Sequence, residues 1–436
     1  MVMQAVSSWG RLTHAPHDVV ALADRSRAPA VVAASRRPAL PFGNGRSYGD
    51  VCLNESGVLW ATRDLDRFIA FDPATGRLEC EAGVTLDEVI AVALPQGWFP
   101  PVTPGTRYVT LGGAIANDVH GKNHHGAGTF GEHVEALTLL RTDGSTIDCG
   151  PDREPAWFRA TVGGLGLTGL IATVTMRLRP VDGAWIDATA TPFESLGEFF
   201  ALSGAASTTH EYTVSWIDCG PASGAATRGL FFAGNHAGST EPAPPDRERS
   251  VPLTPPLSLV RPLSVRALNR LYRRAHRDAQ QPARQDYRRF FYPLDGVRDW
   301  NRIYGPRGFY QYQCVVPEAV QQDATRELLA IVAAAGTGSF LAVLKTFGAR
   351  APAGLLSFPM AGTTLALDFP NLGAETLALF ARLDAAVDAA GGRLYAAKDA
   401  RMPAALFRRG YPEWQAFEAY RDPGISSQMA RRLFGH

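Results

Sequence analysis

Through its first 180 or so residues the 436-residue chain alternates apolar and polar positions in short runs. From Gly57 to Val84 the alternation breaks at Asp72-Pro73-Ala74-Thr75-Gly76, which predicts short strands joined by a tight turn. Val134–Leu140 and Ser145–Cys149 predict a hairpin around Thr142-Asp143-Gly144, and Leu170–Leu178 a further strand. Helical spacing covers Asp18–Ser35, closed by Pro38. It returns up to Leu94, where Thr85 and Glu88 form a capping-box pair and Gly97 ends the element. From about Asp182 the rhythm changes, with strands predicted at Glu211–Asp218 and Gly229–Ala233. Residues Gly308–Ala397 then read β-α-β-β-α-β. The strands are Phe309–Val316, Phe340–Phe347, Thr363–Phe369 and Arg393–Ala397; the helices are Pro317–Ala335 and Leu372–Ala390, the second stopped by Gly391-Gly392. This is ferredoxin-like order. A period of two puts Gln311 with Gln313, Val343 with Lys345, and Thr364 with Ala366 and Asp368 on single strand faces. Helices must cover one side of such a sheet, so these polar groups are expected to look into a wet or ligand-bearing cavity. Gln and Lys against a dry surface would be costly.

Three glycine-rich stretches interrupt the pattern. The longest, Pro104–Gly131 (PGTRYVTLGGAIANDVHGKNHHGAGTFG), holds seven glycines and three histidines, His120, His124 and His125. The others are Gly43-Asn44-Gly45-Arg46-Ser47-Tyr48-Gly49, which follows a short apolar run, and Thr161–Gly169 (TVGGLGLTG). Glycine at this density lets the backbone take positive φ and approach a ligand closely. Successive backbone N–H groups in such loops form anion-binding concavities. Linkers, by contrast, are rich in Gly and Ser or in Pro. None of the three is GxGxxG opening a helix or a Walker motif, so neither a Rossmann nor a P-loop site is supported. Gly43–Gly49 alone is equally a tight structural turn. One large, flat, phosphate-bearing ligand explains all three together.

Composition adds exclusions. Hydrophobic residues make up 46% and charged residues 19%, as in ordinary globular proteins, and a net charge of +1 gives no case for nucleic-acid binding. The length suggests two or three domains. Cys52, Cys80, Cys149, Cys219 and Cys314 are far apart and form no CxxC, so a reducing, cytoplasmic compartment is expected rather than disulfides or structural zinc. No signal peptide, membrane-spanning run or internal repeat is legible. The three histidines lie on no HExxH helix, so no metal is expected. Charge concentrates locally: Arg261–Arg289 carries nine arginines against Asp278 and Asp286, with Leu263, Leu268, Leu271 and Tyr272 at roughly helical spacing. A basic amphipathic helix of this type can lie peripherally on an anionic membrane, and a solvated basic loop fits the same composition.

The segments GNGRSYGD, PGTRYVTLGGAIANDVHGKNHH, TVGGLGLTG, YGPRGFYQYQ and RLYAAKDAR resemble the decaprenylphosphoryl-β-D-ribose 2′-oxidase group of vanillyl-alcohol-oxidase-type FAD flavoproteins, over nearly the whole chain. The resemblance implies an α+β class: a two-domain PCMH-type FAD-binding fold with a ferredoxin-like α+β substrate domain over the flavin. Residues 1–182 would begin the FAD domain, and 183–392 would form the substrate domain, with a mobile basic and Pro-rich insertion at about 240–289. Residues 393–436 would return to the FAD domain. Implied FAD contacts are Gly43, Asn44, Gly45, Arg46, Ser47, Tyr48 and Gly49 in the first loop. In the second they are Pro104, Gly105, Thr106, Thr110, Gly112, Gly113, Asn117, His120, Gly121 and Asn123, joined by Gly169, Ile171 and Tyr395. Many relatives attach FAD covalently through a first-loop histidine; Arg46 stands there, so non-covalent FAD is expected.

Oxidation of a secondary alcohol needs its C–H held over flavin N5 and a base for the hydroxyl proton. Lys398 matches the family's catalytic lysine, and a buried lysine readily shifts its pKa toward that task. A surface ion pair with Asp399 is the structural alternative. His120 matches a histidine beside flavin and substrate. Tyr48, Lys122, Gln311, Gln313 and Lys345 match residues of the substrate cavity, whose wall would also include Phe291, Val343 and Ala366. Ala366 replaces a cysteine common in the family, and Phe291 a tyrosine. The implied reaction takes the ribose 2′-hydroxyl of a polyprenylphosphoryl-ribose to the 2′-keto sugar. That is the first half of an epimerisation in cell-wall arabinan precursor synthesis, completed by an NAD(P)H-dependent reductase partner. The alternative substrate is a soluble sugar or nucleoside alcohol of a specialised pathway.

Overall fold

Strands Val2–Val6, Ala15–Ala21, Ala39–Phe42 and Val58–Ala61 (β1–β4) open the fold as a four-stranded sheet in the order β1-β2-β4-β3. The structure, a computed structural model, describes residues 2–219, 227–275, 282–336 and 338–435. Helical spacing over Asp18–Ser35 misleads in its first part: Asp18–Ala21 pairs in parallel with β4, and only Ala28–Ala33 (α1) is helical. Adjacent Val19 and Val20 are β-branched and stiff at χ1, and sheet pairing decides between the two conformations.

Strands Phe68–Asp72, Arg77–Glu81, Val134–Leu140, Thr146–Cys149 and Leu170–Arg177 (β5–β9) form an antiparallel sheet in the order β5-β6-β9-β7-β8. Both expected hairpins are present. Helix Leu86–Ala93 (α2) starts on the expected capping box: the Glu88 N–H donates to Thr85 Oγ1 at 3.3 Å, and the Thr85 N–H to Glu88 Oε2 at 2.8 Å. Gly97, at φ 82°, ends the following turn.

Eight further strands make one antiparallel sheet. Its first four are Trp185–Phe193, Tyr212–Ile217, Gly229–His236 and Ala283–Asp286 (β10–β13). The other four are Phe309–Pro317, Ala342–Phe347, Gly362–Pro370 and Arg393–Leu394 (β14–β17). The spatial order is β13-β10-β12-β11-β15-β16-β14-β17. Each half is thus arranged fourth-first-third-second, and the halves join through their second strands at Ser215–Leu344 and Trp216–Val343. This repetition is topological and leaves no repeat in the sequence. Helices Leu196–Ala206 (α4), Gln321–Ala334 (α6) and Ala374–Ala389 (α7) cover one face, burying Phe199, Leu328, Leu379 and Leu383 among Phe231, Leu344, Leu365 and Leu367. By the period of two, Gln311, Gln313, Val343, Lys345, Thr364 and Ala366 occupy the other face.

Beyond β17 the chain crosses back to the first sheet. The Ala39 N–H donates to Gly424 O (2.9 Å) and the Ser426 N–H to Ala39 O (3.0 Å), extending that sheet beside β3. Arg432 lies 2.7 Å from Asp50 and 3.0 Å from Asp399.

Of the stretch expected to be a mobile insertion, residues 276–281, including Asp278, lie outside the described residues. The rest contains helix Pro262–Ala275 (α5) and is pinned at Asp246 and Glu248. Both pair with Arg107 of the long glycine loop, which is 3% exposed and also reaches Asp87 at 2.7 Å. Arg107→Met would leave three carboxylates facing one another. Because Asp87 and Asp246 keep solvent contact, the expected cost is about 2 kcal/mol, read as a lower urea midpoint at unchanged m.

Candidate active site

The open face of the eight-stranded sheet and the glycine loops enclose one cavity of about 1090 Å³. That exceeds the roughly 300–1,000 Å³ common for small-molecule pockets. The loops are pressed together: a Cβ on Gly43 would lie 2.4 Å from Thr110 Oγ1. Thr110 caps the short helix Leu111–Ala116 (α3), accepting from the Gly113 N–H at 3.2 Å. The third loop closes on the end of α3, where the Leu165 N–H donates to Ala116 O at 2.7 Å. Leu165 (φ 60°) and Gly166 (φ 74°) take left-handed backbone there.

FAD fits this bed. Asn117 Oδ1 and Arg46 Nε are buried at the cavity and have no hydrogen-bond partner among the described residues. A Cβ on Gly105 would meet nothing within 4 Å, so the backbone there is open to a ligand. Arg46 lies 4.4 Å from the Trp9 ring centroid and 5.2 Å from that of Tyr108, a guanidinium held by aromatic faces.

Basic side chains converge where the long loop meets the open face of the sheet. Lys345 Nζ lies 2.8 Å from His120 Nδ1 and donates to Gly121 O at 2.6 Å. Gln313 Nε2 lies 3.0 Å from His120 Nε2 and 3.3 Å from Thr364 Oγ1. A neutral imidazole has one N–H, so the two contacts constrain each other. An ammonium on Lys345 donating to Nδ1 puts the N–H on Nε2 and turns the Gln313 oxygen toward it; a neutral Lys345 lets Nδ1 donate. Burial, then the charges of Lys345, His124 and Lys398, hold His120 well below its ordinary pKa. Burial lowers Lys345 to about 7, with Lys122 adding to the shift, and burial alone lowers Lys122 to about 7. Lys122 Nζ donates to Phe290 O beneath the Phe290 and Phe291 rings.

Lys398 Nζ stands 3.8 Å from the Tyr48 ring centroid. Burial lowers its pKa to about 8 against the opposing pull of Asp368. Asp399 is engaged elsewhere: it accepts from the Met402 N–H at 2.8 and 3.0 Å and the Arg401 N–H at 3.1 Å, and so fixes the turn that carries Lys398. Asp368, fully buried, accepts from Gln311 Nε2 at 2.7 Å, and burial raises it to about 7. Alternation placed Asp368 on the correct strand face, but nothing in the pattern showed that it would face Lys398.

Tyr48, His120, Lys122, Phe291, Gln311, Gln313, Val343, Lys345, Ala366 and Lys398 all line the one cavity. So do the expected FAD contacts of the three loops and Tyr395, except two. A Cβ on Gly49 would lie 1.6 Å from Asp399 O, so Gly49 serves backbone contact. Asn123 is buried, its Nδ2 donating to Pro101 O at 2.8 Å, which is a structural bond. Trp9, Leu165 and Trp216 also line the cavity; only Trp216, alternating with Val214, was marked by a strand pattern. Among the described residues no group of three His, Cys, Asp or Glu is placed to hold a metal ion.

A model of the FAD binding domain matches residues 19–150. The decaprenylphosphoryl-beta-D-ribose oxidase of Mycolicibacterium smegmatis is 36% identical over 98% of this chain and 96% of its own. The chain belongs to the decaprenylphosphoryl-β-D-ribose oxidase family. A Streptomyces coelicolor protein encoded in the mprA 5′ region is 34% identical over 80% of this chain and all of its own. Mouse L-gulonolactone oxidase is 28% identical over 32% of this chain and 31% of its own. As a member of the decaprenylphosphoryl-β-D-ribose oxidase family the protein is an FAD-dependent oxidoreductase. Gly49→Ala is expected to push the first loop off residues 399–400. FAD binding should weaken about tenfold in a fluorescence titration of the apoprotein.

Proposed function

We propose that this protein oxidises the ribose 2′-hydroxyl of a polyprenylphosphoryl-ribose to the 2′-keto sugar, the first half of an epimerisation in cell-wall arabinan precursor synthesis. A ferredoxin-like substrate domain holds the sugar over the cofactor, and an NAD(P)H-dependent reductase consumes the product. The observation that carries this reading is the meeting of Lys398, His120, Gln313 and Lys345 in one cavity with the glycine loops.

Bound FAD supplies the acceptor for the C–H hydrogen. Lys398, as a neutral amine, takes the hydroxyl proton, and the Asp368 carboxylate favours the ammonium that results. His120, kept neutral, orients the sugar by hydrogen bonding while Gln313 and Lys345 fix its ring. Lys122 and Lys345, lowered by burial to about 7, offer the phosphate partial positive charge at neutral pH. Toward β10–β13 the cavity is lined by Ala188, Ala190, Val214, Trp216 and Phe232, apolar surface suited to an isoprenoid chain. Arg46, in place of a covalently bonding histidine, makes the flavin dissociable. The second reading, a soluble sugar or nucleoside alcohol, draws support from Ala366 and from Phe291, which packs 4.7 Å from the Tyr212 ring and offers no hydroxyl.

Without oxygen, a polyprenylphosphoryl-ribose should bleach the flavin absorbance at least about tenfold faster than ribonucleosides, a difference of about 1.4 kcal/mol. Faster bleaching by nucleosides would sink the lipid reading. Lys398→Ala should stay yellow and reduce on the order of 10²–10⁴-fold more slowly. The rate should rise with pH through about 8 as Lys398 loses its proton. Asp368→Asn removes the charge that raises the Lys398 pKa, so it should move that midpoint to lower pH. Acid precipitation should leave all the yellow colour in the supernatant; colour in the pellet would contradict the role given to Arg46.

A further inference from the structure

We propose that the outer face of α5, with the segment Leu253–Leu259 before it, is a docking surface for an anionic lipid bilayer. The surface brings the mouth of the cavity to the membrane. Twelve large hydrophobic side chains stand exposed among the described residues, and seven of them fall between Leu253 and Tyr272. Leu263 is 77% exposed and Leu271 66%. Soluble proteins seldom leave apolar side chains gathered in this way without a partner.

The rotation of α5 is fixed from inside. Val265 and Asn269 are its buried residues, and Asn269 Nδ2 donates to Asp218 Oδ1 at 2.6 Å. At 100° per residue, Leu263, Ala267 and Leu271 then line up on the side away from the protein, with Arg270 and Arg274 beside them. Tyr272 turns the other way: its ring is 5.0 Å from that of Trp216, and both line the cavity. One face of the helix therefore forms cavity wall while the opposite face is an exposed leucine stripe.

Charge selects the occupant. From Val251 to Ala275 there is no carboxylate, and there are five arginines, Arg261, Arg266, Arg270, Arg273 and Arg274. Arg273 pairs with Glu194 at 2.6 Å, and the leucines with Arg261, Arg266, Arg270 and Arg274, in a segment with no acid of its own, match the boundary between acyl chains and anionic headgroups. Among the described residues no helix is long and apolar enough to cross a membrane, so the contact is peripheral. The proposal deepens the lipid-linked reading by locating substrate entry, and rests on that reading for the entry step alone.

The test is cosedimentation of the full-length holoprotein with vesicles of phosphatidylglycerol and phosphatidylcholine, and of phosphatidylcholine only. Binding to the anionic vesicles that weakens with salt is the expected result. Leu263→Glu with Leu271→Glu should lower partitioning at least about tenfold, and Arg270→Gln with Arg274→Gln roughly fivefold per arginine, with flavin content and circular dichroism unchanged. The leucine variant should be bleached normally by a soluble short-chain phosphoryl-ribose, and slowly by vesicle-held polyprenyl substrate. Absence of binding to anionic vesicles, or equal binding by the leucine variant, overturns the proposal. A dimer in light scattering that the leucine variant abolishes, without vesicle binding, assigns the face to a second copy and likewise overturns it. Vesicle binding without bleaching by any phosphoryl-ribose upholds the docking face and refutes the substrate reading.

Discussion

The first glycine loop and the turn that carries Lys398 meet through bare backbone, since Gly49 stands where a Cβ would fall 1.6 Å from Asp399 O. The rest of the site depends on that contact. The Tyr48 N–H donates to Ala397 O at 3.3 Å beside it, which brings the Tyr48 ring under Lys398. The Asp399 carboxylate is occupied by the backbone N–H groups of Arg401 and Met402 and by Arg432, so the turn is held by its own backbone and by the C-terminal segment. A buried lysine from near the chain's end is thereby registered against a loop from its beginning.

Burial then sets the chemistry. Lys122, Lys345 and Lys398 share one cavity with His120, and each loses hydration that would favour its charged form. The charge of Lys122 lowers Lys345 further, those of Lys345, His124 and Lys398 lower His120, and Asp368 is the counter-charge for Lys398. The lysines are thus poised near neutrality while His120 remains unprotonated. A site of this type gains and loses protons readily, as alcohol oxidation requires.

The eight-stranded sheet gives each half its own task. The half with Gln311, Gln313, Lys345 and Thr364 carries the polar groups that line the cavity around His120. The other half, with Ala188, Val214, Trp216 and Phe232, lines an apolar extension edged by α5. Joining the halves through Trp216–Val343 makes these surfaces continuous. A polar head and an apolar tail can then lie along one sheet.

Much of this was legible in the residues themselves. The Thr85–Glu88 capping box, the two hairpins and the three glycine loops follow from local rules, because caps and turns are decided within a few residues. Strand alternation put Gln311, Gln313, Val343 and Lys345 on a common face without knowledge of the fold. Distant pairing decided the remainder. It made Asp18–Ala21 a strand, kept Gly49 and Asn123 for structural contacts, and set Asp368 opposite Lys398. The sequence by itself determined which residues could bind and react, since side-chain chemistry and local periodicity are carried by neighbours along the chain. Only the tertiary structure decided which of them meet, because such contacts depend on partners beyond the local window of the chain, 22 residues away for Asn123 and Pro101 and 350 for Gly49 and Asp399.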